Sequence, residues 1–234
     1  VCAQTLTYLT EEGSRIYERS LRFVFIMAVR QTFPQARVRM ENSTQTGMYA
    51  RVEGVKLTLR AVREIEARMR ELVKADLPFE INAITRTQAI EYFRADGQMD
   101  KVRLLKYRPF EHFTLYKCGE MLEYFYGEMA PSTGYVNVFR LDFSMPGIAI
   151  SLPDRYHPEA PFPFVQRPKL MRTFAESAKW AGILGVENAA DLNEMIARRR
   201  LREFIRVNEA LQERSIMQIA GQFVESGAQL ILVA

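Results

Sequence analysis

Ser20–Pro34 reads SLRFVFIMAVRQTFP, and the rest of the chain is organised around it. Leu21, Val24, Phe25, Ala28, Val29, Thr32 and Phe33 recur at three- and four-residue spacing, so one helical face is continuously apolar. Phe23, Ile26 and Met27 widen that face until Arg22 and Arg30 are the main polar breaks. A helix this apolar over four turns is a core element. Pro34 ends it, because the residue before a proline is pushed out of helical geometry.

Working outward, Thr10 or Ser14 caps the start of this helix. Arg37 to Glu41 and Met48 to Val52 read as a hairpin. Thr58 caps a helix through Lys74, with Val62, Ile65, Met69, Leu72 and Val73 as its stripe and Glu64–Arg68 and Glu66–Arg70 as i,i+4 pairs. Phe79 to Ile84 is a short strand, and Thr85 with Gln88 fits a capping box for a helix to Ala95. Thr114 to Cys118, Val136 to Phe143 and Ile148 to Leu152 read as strands of one antiparallel sheet. Asp154 to Pro168 holds four of the ten prolines and reads as a crossing loop. Helices are expected at Leu170–Ile183, Ala189–Arg199, Arg202–Glu213 and Ser215–Ser226. Gln229 to Ala234 reads as a buried-type strand. The fold class is therefore α+β, antiparallel sheet and helices followed by a helical segment.

With 234 residues, 48% hydrophobic and 26% charged, the chain has the composition of an ordinary globular protein. The longest apolar run is too short for a membrane span. Net charge is +4 and the pI about 9.1, a mild excess that permits an anionic partner such as a nucleotide or RNA but is more simply scattered surface Arg. Cys2 and Cys118 form no CxxC and imply no disulfide framework, which fits a reducing, cytoplasmic compartment. His112 and His157 stand far from both, so no metal site is expected. The start at Val1 and the apolar ending LILVA read as a piece of a longer protein.

No stretch announces a reaction: there is no GxxxxGK[ST], HExxH or GxSxG. The strongest polar cluster is Asp96, Gln98, Asp100, Lys101, Arg103, Lys106 and Arg108. A cationic strip beside Tyr107, Tyr124 and Tyr126 could hold a phosphate or stack a base of a nucleoside, nucleotide or other small anionic ligand. The same residues also read as a solvated turn and helix edge. Pro131–Tyr135 (PSTGY) offers hydroxyls and amides in a turn, or is simply a tight connection. Arg198, Arg199 and Arg200 with Arg202 and Arg206 suit RNA or the wet face of a helix.

Over Gly13 to Pro153 the chain resembles the second additional domain shared by threonyl- and alanyl-tRNA synthetases. The resemblance rests on AVRQTFP (Ala28–Pro34), TGMYARV (Thr46–Val52), RMREL (Arg68–Leu72) and YKCG (Tyr116–Gly119), in that order. In that family the domain hydrolyses misacylated tRNA, using two His four apart on the first helix and a Cys followed by a His four later. Here the positions hold Phe23, Met27, Cys118 and Leu122. The resemblance thus implies a degenerate metal site, no zinc, and Cys118 as a packed thiol.

Further segments, YERSLRF (Tyr17–Phe23), FRADGQMDK (Phe93–Lys101), YFYGEMAPSTGY (Tyr124–Tyr135) and the terminal LILVA, resemble multidomain bacterial uridine kinase-like proteins. These join a TGS domain, a synthetase-like domain, helices and a P-loop kinase domain. The resemblance implies a linker or remnant at 1–12, a synthetase-like domain at 13–153, a crossing loop at 154–168, helices at 169–227 and the first kinase strand at 228–234. It implies a noncatalytic portion serving ligand sensing or interdomain regulation, with no cofactor in this chain and with ATP and magnesium in the parent. A metal-independent aminoacyl-tRNA deacylase and an RNA-binding module are the alternatives. An unpaired terminal strand would favour homo-oligomers.

Overall fold

The computed structural model describes residues 6–44, 46–227 and 229–230. The expected first residues and residues 231–234 of the expected terminal strand lie outside them. The fold is α+β, as the periodicities predict, and divides into two compact units. One spans His112–Arg167 together with the described residues up to Ile84; the other spans Thr85–Glu111 together with the described residues from Pro168 on. The segment 85–111, expected to belong with the sheet, thus groups with the C-terminal helices.

In the first unit, α1 (Glu11–Thr32) is capped by Thr10, whose side chain accepts from the Gly13 amide, and ends as the Phe33 amide bonds back to the Val29 carbonyl. Leu21, Phe23, Val24, Phe25, Ala28 and Val29 are wholly buried. This helix lies at the centre of a core that also takes Val62, Ile65 and Met69 from α2 (Leu59–Ala75). A face so apolar removes enough surface from water to fix the elements around it.

The strands form two sheets rather than one. β1 (Arg37–Thr44), β2 (Gly47–Glu53), β7 (Gly147–Ser151) and β6 (Arg140–Ser144) make a four-stranded sheet in that order. β3 (Glu80–Thr85), β4 (His112–Cys118) and β5 (Met121–Glu123) make a separate three-stranded sheet. The expected strand from Val136 begins only at Arg140, because Thr133–Tyr135 winds into a 3-10 turn first. Ile148 and Ile150 point inward from β7 and are buried.

In the second unit, α3 (Arg86–Ala95) starts with the expected capping box between Thr85 and Gln88. It is followed by α4 (Met99–Lys106), where the sequence shows only an apolar–basic segment, and by α5 (Pro168–Leu184), α6 (Ala189–Ala197) and α7 (Leu201–Glu225). The last is one 25-residue helix in place of the two expected, since no Gly or Pro interrupts the chain at Glu213–Ser215. Among the described residues, Ala89, Phe93, Leu105 and Ala190 are this unit's buried apolar side chains. α5 and α7 have no buried residue, and Ile216, Met217, Ile219 and Val224 of α7 are exposed. Among the described residues no helix is long and apolar enough to cross a membrane.

Candidate functional site

Phe23 and Met27 stand one turn apart on α1, on the buried face, because four residues nearly complete a helical turn. Both belong to the same apolar cluster as Cys118, the last residue of β4. Phe23 is enclosed by two further rings. Phe79 meets it edge-on at 5.3 Å between centroids, and Phe125 lies tilted at 5.7 Å. Leu122 departs from this group. In the β4–β5 ladder Cys118 faces Met121 and Lys117 faces Leu122, so Cys118 and Leu122 project from opposite faces of the hairpin.

Zinc is held by thiolate, imidazole or carboxylate. Two of the positions packed together offer a phenyl ring and a thioether instead, and Leu122 offers only methyl groups. Burial first and the nearby Glu80 second push the Cys118 thiol up to about 11, so it stays protonated and is a poor metal ligand or nucleophile at neutral pH. The residues present do not fit zinc. Among the described residues no group of three His, Cys, Asp or Glu is placed to hold a metal.

The expected cationic strip is divided. Asp96, Lys101, Arg103, Lys106, Tyr107 and Arg108 lie in the second unit, whereas Tyr124 lies in the first, its ring edge-on to Phe113 at 6.2 Å. Arg103 is held by acids: its Nη2 is 2.6 Å from Asp191 Oδ1 and its Nε 3.0 Å from Glu194 Oε1. Those bonds, Glu194 first, raise its pKa further. Lys101 lies 5.0 Å over the Phe93 ring and Lys106 5.8 Å over Tyr107. The Asp96 carboxylate accepts from Gln98 at 2.5 Å, and the Arg108 carbonyl accepts from Arg86 at 2.9 Å. The Arg-rich stretch is also partly neutralised within its own helices, Arg198 by Glu194 and Arg200 by Glu203.

The PSTGY turn closes the end of α2. The buried Thr133 hydroxyl donates to the Leu72 carbonyl and accepts from the Leu77 amide. Ser132 and the Gly134 amide both donate to Asp76 Oδ1, and Asp76 caps α2 in the left-handed region at φ 51°. These hydroxyls and amides are engaged in structure.

What the sequence does not disclose is a cavity of about 620 Å³ in the first unit, beside the N-terminal half of α1. Tyr8, Ile16, Tyr17, Pro131, Tyr135 and Val138 are among its walls. Tyr17 stands six residues before Phe23, about 9 Å along the helix axis. Tyr8 also borders a second, more polar cavity of about 600 Å³ that includes Glu18 and Arg155.

The chain is similar to threonine–tRNA ligases. It is 30% identical over 137 residues to that of Carboxydothermus hydrogenoformans, a match covering 58% of this chain and 22% of the relative. It is 31% identical over 139 residues to that of a Geobacter species, covering 59% and 22%. To that of Marinobacter nauticus it is 32% identical over 138 residues, covering 58% and 22%. No family model matches the chain. The match spans about a fifth of the length of these relatives, and over it the protein is threonine–tRNA ligase-like.

Proposed function

We propose that the threonine–tRNA ligase-like unit is a metal-free module that binds without hydrolysing, the noncatalytic portion of a nucleoside kinase-like protein that senses a ligand or regulates a neighbouring domain. The observation that carries this is the aromatic packing around Phe23, with Met27 beside it and a protonated Cys118 in the same core. A hydrolytic centre needs a base or an activated water near the ester, and a dry cluster of phenyl rings supplies neither. The kinase-like parent is supported by the segments YERSLRF, FRADGQMDK and YFYGEMAPSTGY; within these 234 residues no glycine-rich phosphate loop fits ATP.

The test has two readouts. The purified protein, incubated with zinc and then dialysed, is assayed for bound metal by mass spectrometry. It is also incubated with misacylated tRNA and assayed for deacylation. Stoichiometric zinc, or deacylation abolished by Cys118→Ala, overturns the reading in favour of an active deacylase. Neither signal is expected.

A further inference from the structure

We propose that the cavity beside the N-terminal half of α1 binds a neutral, planar heteroaromatic molecule of nucleoside size. Its volume, about 620 Å³, lies within the range of small-molecule sites. Three tyrosines (Tyr8, Tyr17 and Tyr135) and three prolines (Pro131, Pro153 and Pro158) contribute rigid, flat walls. Among the described residues that line it there is no Asp, Glu, Lys, Arg or His. No lining side chain would meet an ionised group with a counter-charge, which favours a neutral ligand over phosphates and carboxylates at these walls.

The two inner rings are fixed before any ligand arrives. Tyr8 and Tyr17 meet edge to face at 5.1 Å and 73°. The Tyr8 hydroxyl donates to the Pro153 carbonyl at 2.9 Å. The Tyr17 hydroxyl donates to the Val138 carbonyl at 2.7 Å and accepts from the Val138 amide at 2.9 Å. Both hydroxyls are thus committed to backbone, and what the rings can still offer is π surface. Rings held at both ends lose little freedom on binding, which favours a rigid partner. Tyr135, 63% exposed, stands among the walls with its ring accessible to a stacked ligand. Thr7 and Asn137 are among the lining residues, and both carry side-chain groups able to hydrogen-bond the edge of a heterocycle. A flexible aliphatic ligand would use none of the ring stacking.

The proposal stands apart from the metal-free reading, because Phe23, Met27 and Cys118 are not among the lining residues. Calorimetric titration of the 234-residue protein with adenosine and with uridine tests it, with adenosine 5′-monophosphate and 1-octanol as comparison probes. Saturable binding of a nucleoside is expected, with the monophosphate at least about tenfold weaker. Tyr135→Ala is expected to weaken nucleoside binding by about tenfold, the scale of one lost aromatic–base stack. Ile16→Trp, which places an indole in the cavity, is expected to abolish it. No nucleoside binding at millimolar concentration overturns the proposal. So does monophosphate binding as tight as the nucleoside's, or displacement of the nucleoside by octanol. Should Ile16→Trp lose its circular dichroism signature, Tyr135→Ala decides alone, and an unchanged affinity there overturns the proposal.

Discussion

The ring of Phe23 meets the ring of Phe79 at 5.3 Å and 70°, joining the first helix to the residue that leads into β3. An aromatic pair in this geometry adds about 0.5–1.5 kcal/mol beyond the area it buries. A position where the family resemblance implies a metal ligand therefore contributes here to stability.

Phe23→Ala removes a fully buried ring and its contacts with Phe79 and Phe125. The expected cost is about 3–5 kcal/mol, the usual range when a core phenylalanine leaves a cavity. Urea unfolding followed by circular dichroism measures it. A cost below about 1 kcal/mol would mean that the ring is not a core element.

Cys118 makes a prediction in pH. Its folded thiol is raised to about 11 from 9.0, first by burial and then by Glu80. The folded state therefore keeps a proton that the unfolded chain releases. The stabilisation is fully present below pH 9 and is lost as pH rises toward 11. Urea midpoints for wild type and Cys118→Ala should converge across that window. In a Cys2→Ser background, Cys118 should react with a disulfide reagent at pH 8 only on unfolding.

Thr133 and Gly134 test the turn that closes α2. Thr133→Ala leaves the Leu72 carbonyl and Leu77 amide without their partner and is expected to cost about 1–3 kcal/mol. Gly134→Ala would place a Cβ 2.3 Å from Asp76 Oδ1, so the carboxylate must withdraw from Ser132 and the Gly134 amide. Its cost should reach that of at least one hydrogen bond, about 1 kcal/mol. Combining Gly134→Ala with Asp76→Gly relieves both the clash and the left-handed strain, and should recover part of the loss.

Features written in neighbouring residues were legible in the sequence. The buried face of α1 follows from its spacing, and the Thr85–Gln88 capping box from two residues three apart. Choices between local partners were less so: Arg68 turns to Glu71 and Gln31, and Glu64 to Arg60, leaving only the Glu66–Arg70 pair as expected. Strand pairing is a long-range choice, so nothing in Thr114–Cys118 showed that it would leave β6 and β7 for a sheet with β3 and β5. The tyrosine-lined cavity draws on segments from Leu6 to Pro158, each with ordinary residues, and no single segment carries its signal.

Arg103 shows the same limit and supports the last prediction. Its partners lie 88 and 91 residues away, so a cation that reads as free for an anionic ligand is occupied within its own unit. Asp191 does two things at once. It accepts from the Glu187 and Asn188 amides, completing the cap of α6, and it accepts from Arg103 on α4. Burial tends to raise its pKa, but those donors outweigh burial and hold it below 3.8; Arg103, with smaller help from Arg198 and Lys106, lowers Glu194 below 4.5. The carboxylates therefore contribute at neutral pH, and the contribution is lost as pH falls through their lowered values. Arg103→Met should speed hydrogen exchange of the α6 amides at pH 7. The difference from wild type should shrink in molar salt, because these groups are partly exposed, and should fade as pH drops through the lowered carboxylate values. Arg103→Lys should recover only part of the protection, since an ammonium cannot present the two-pronged fork that spans Asp191 and Glu194. Unchanged exchange in Arg103→Met would show that apolar contacts around Leu105 and Ala190 alone hold α4 to α6.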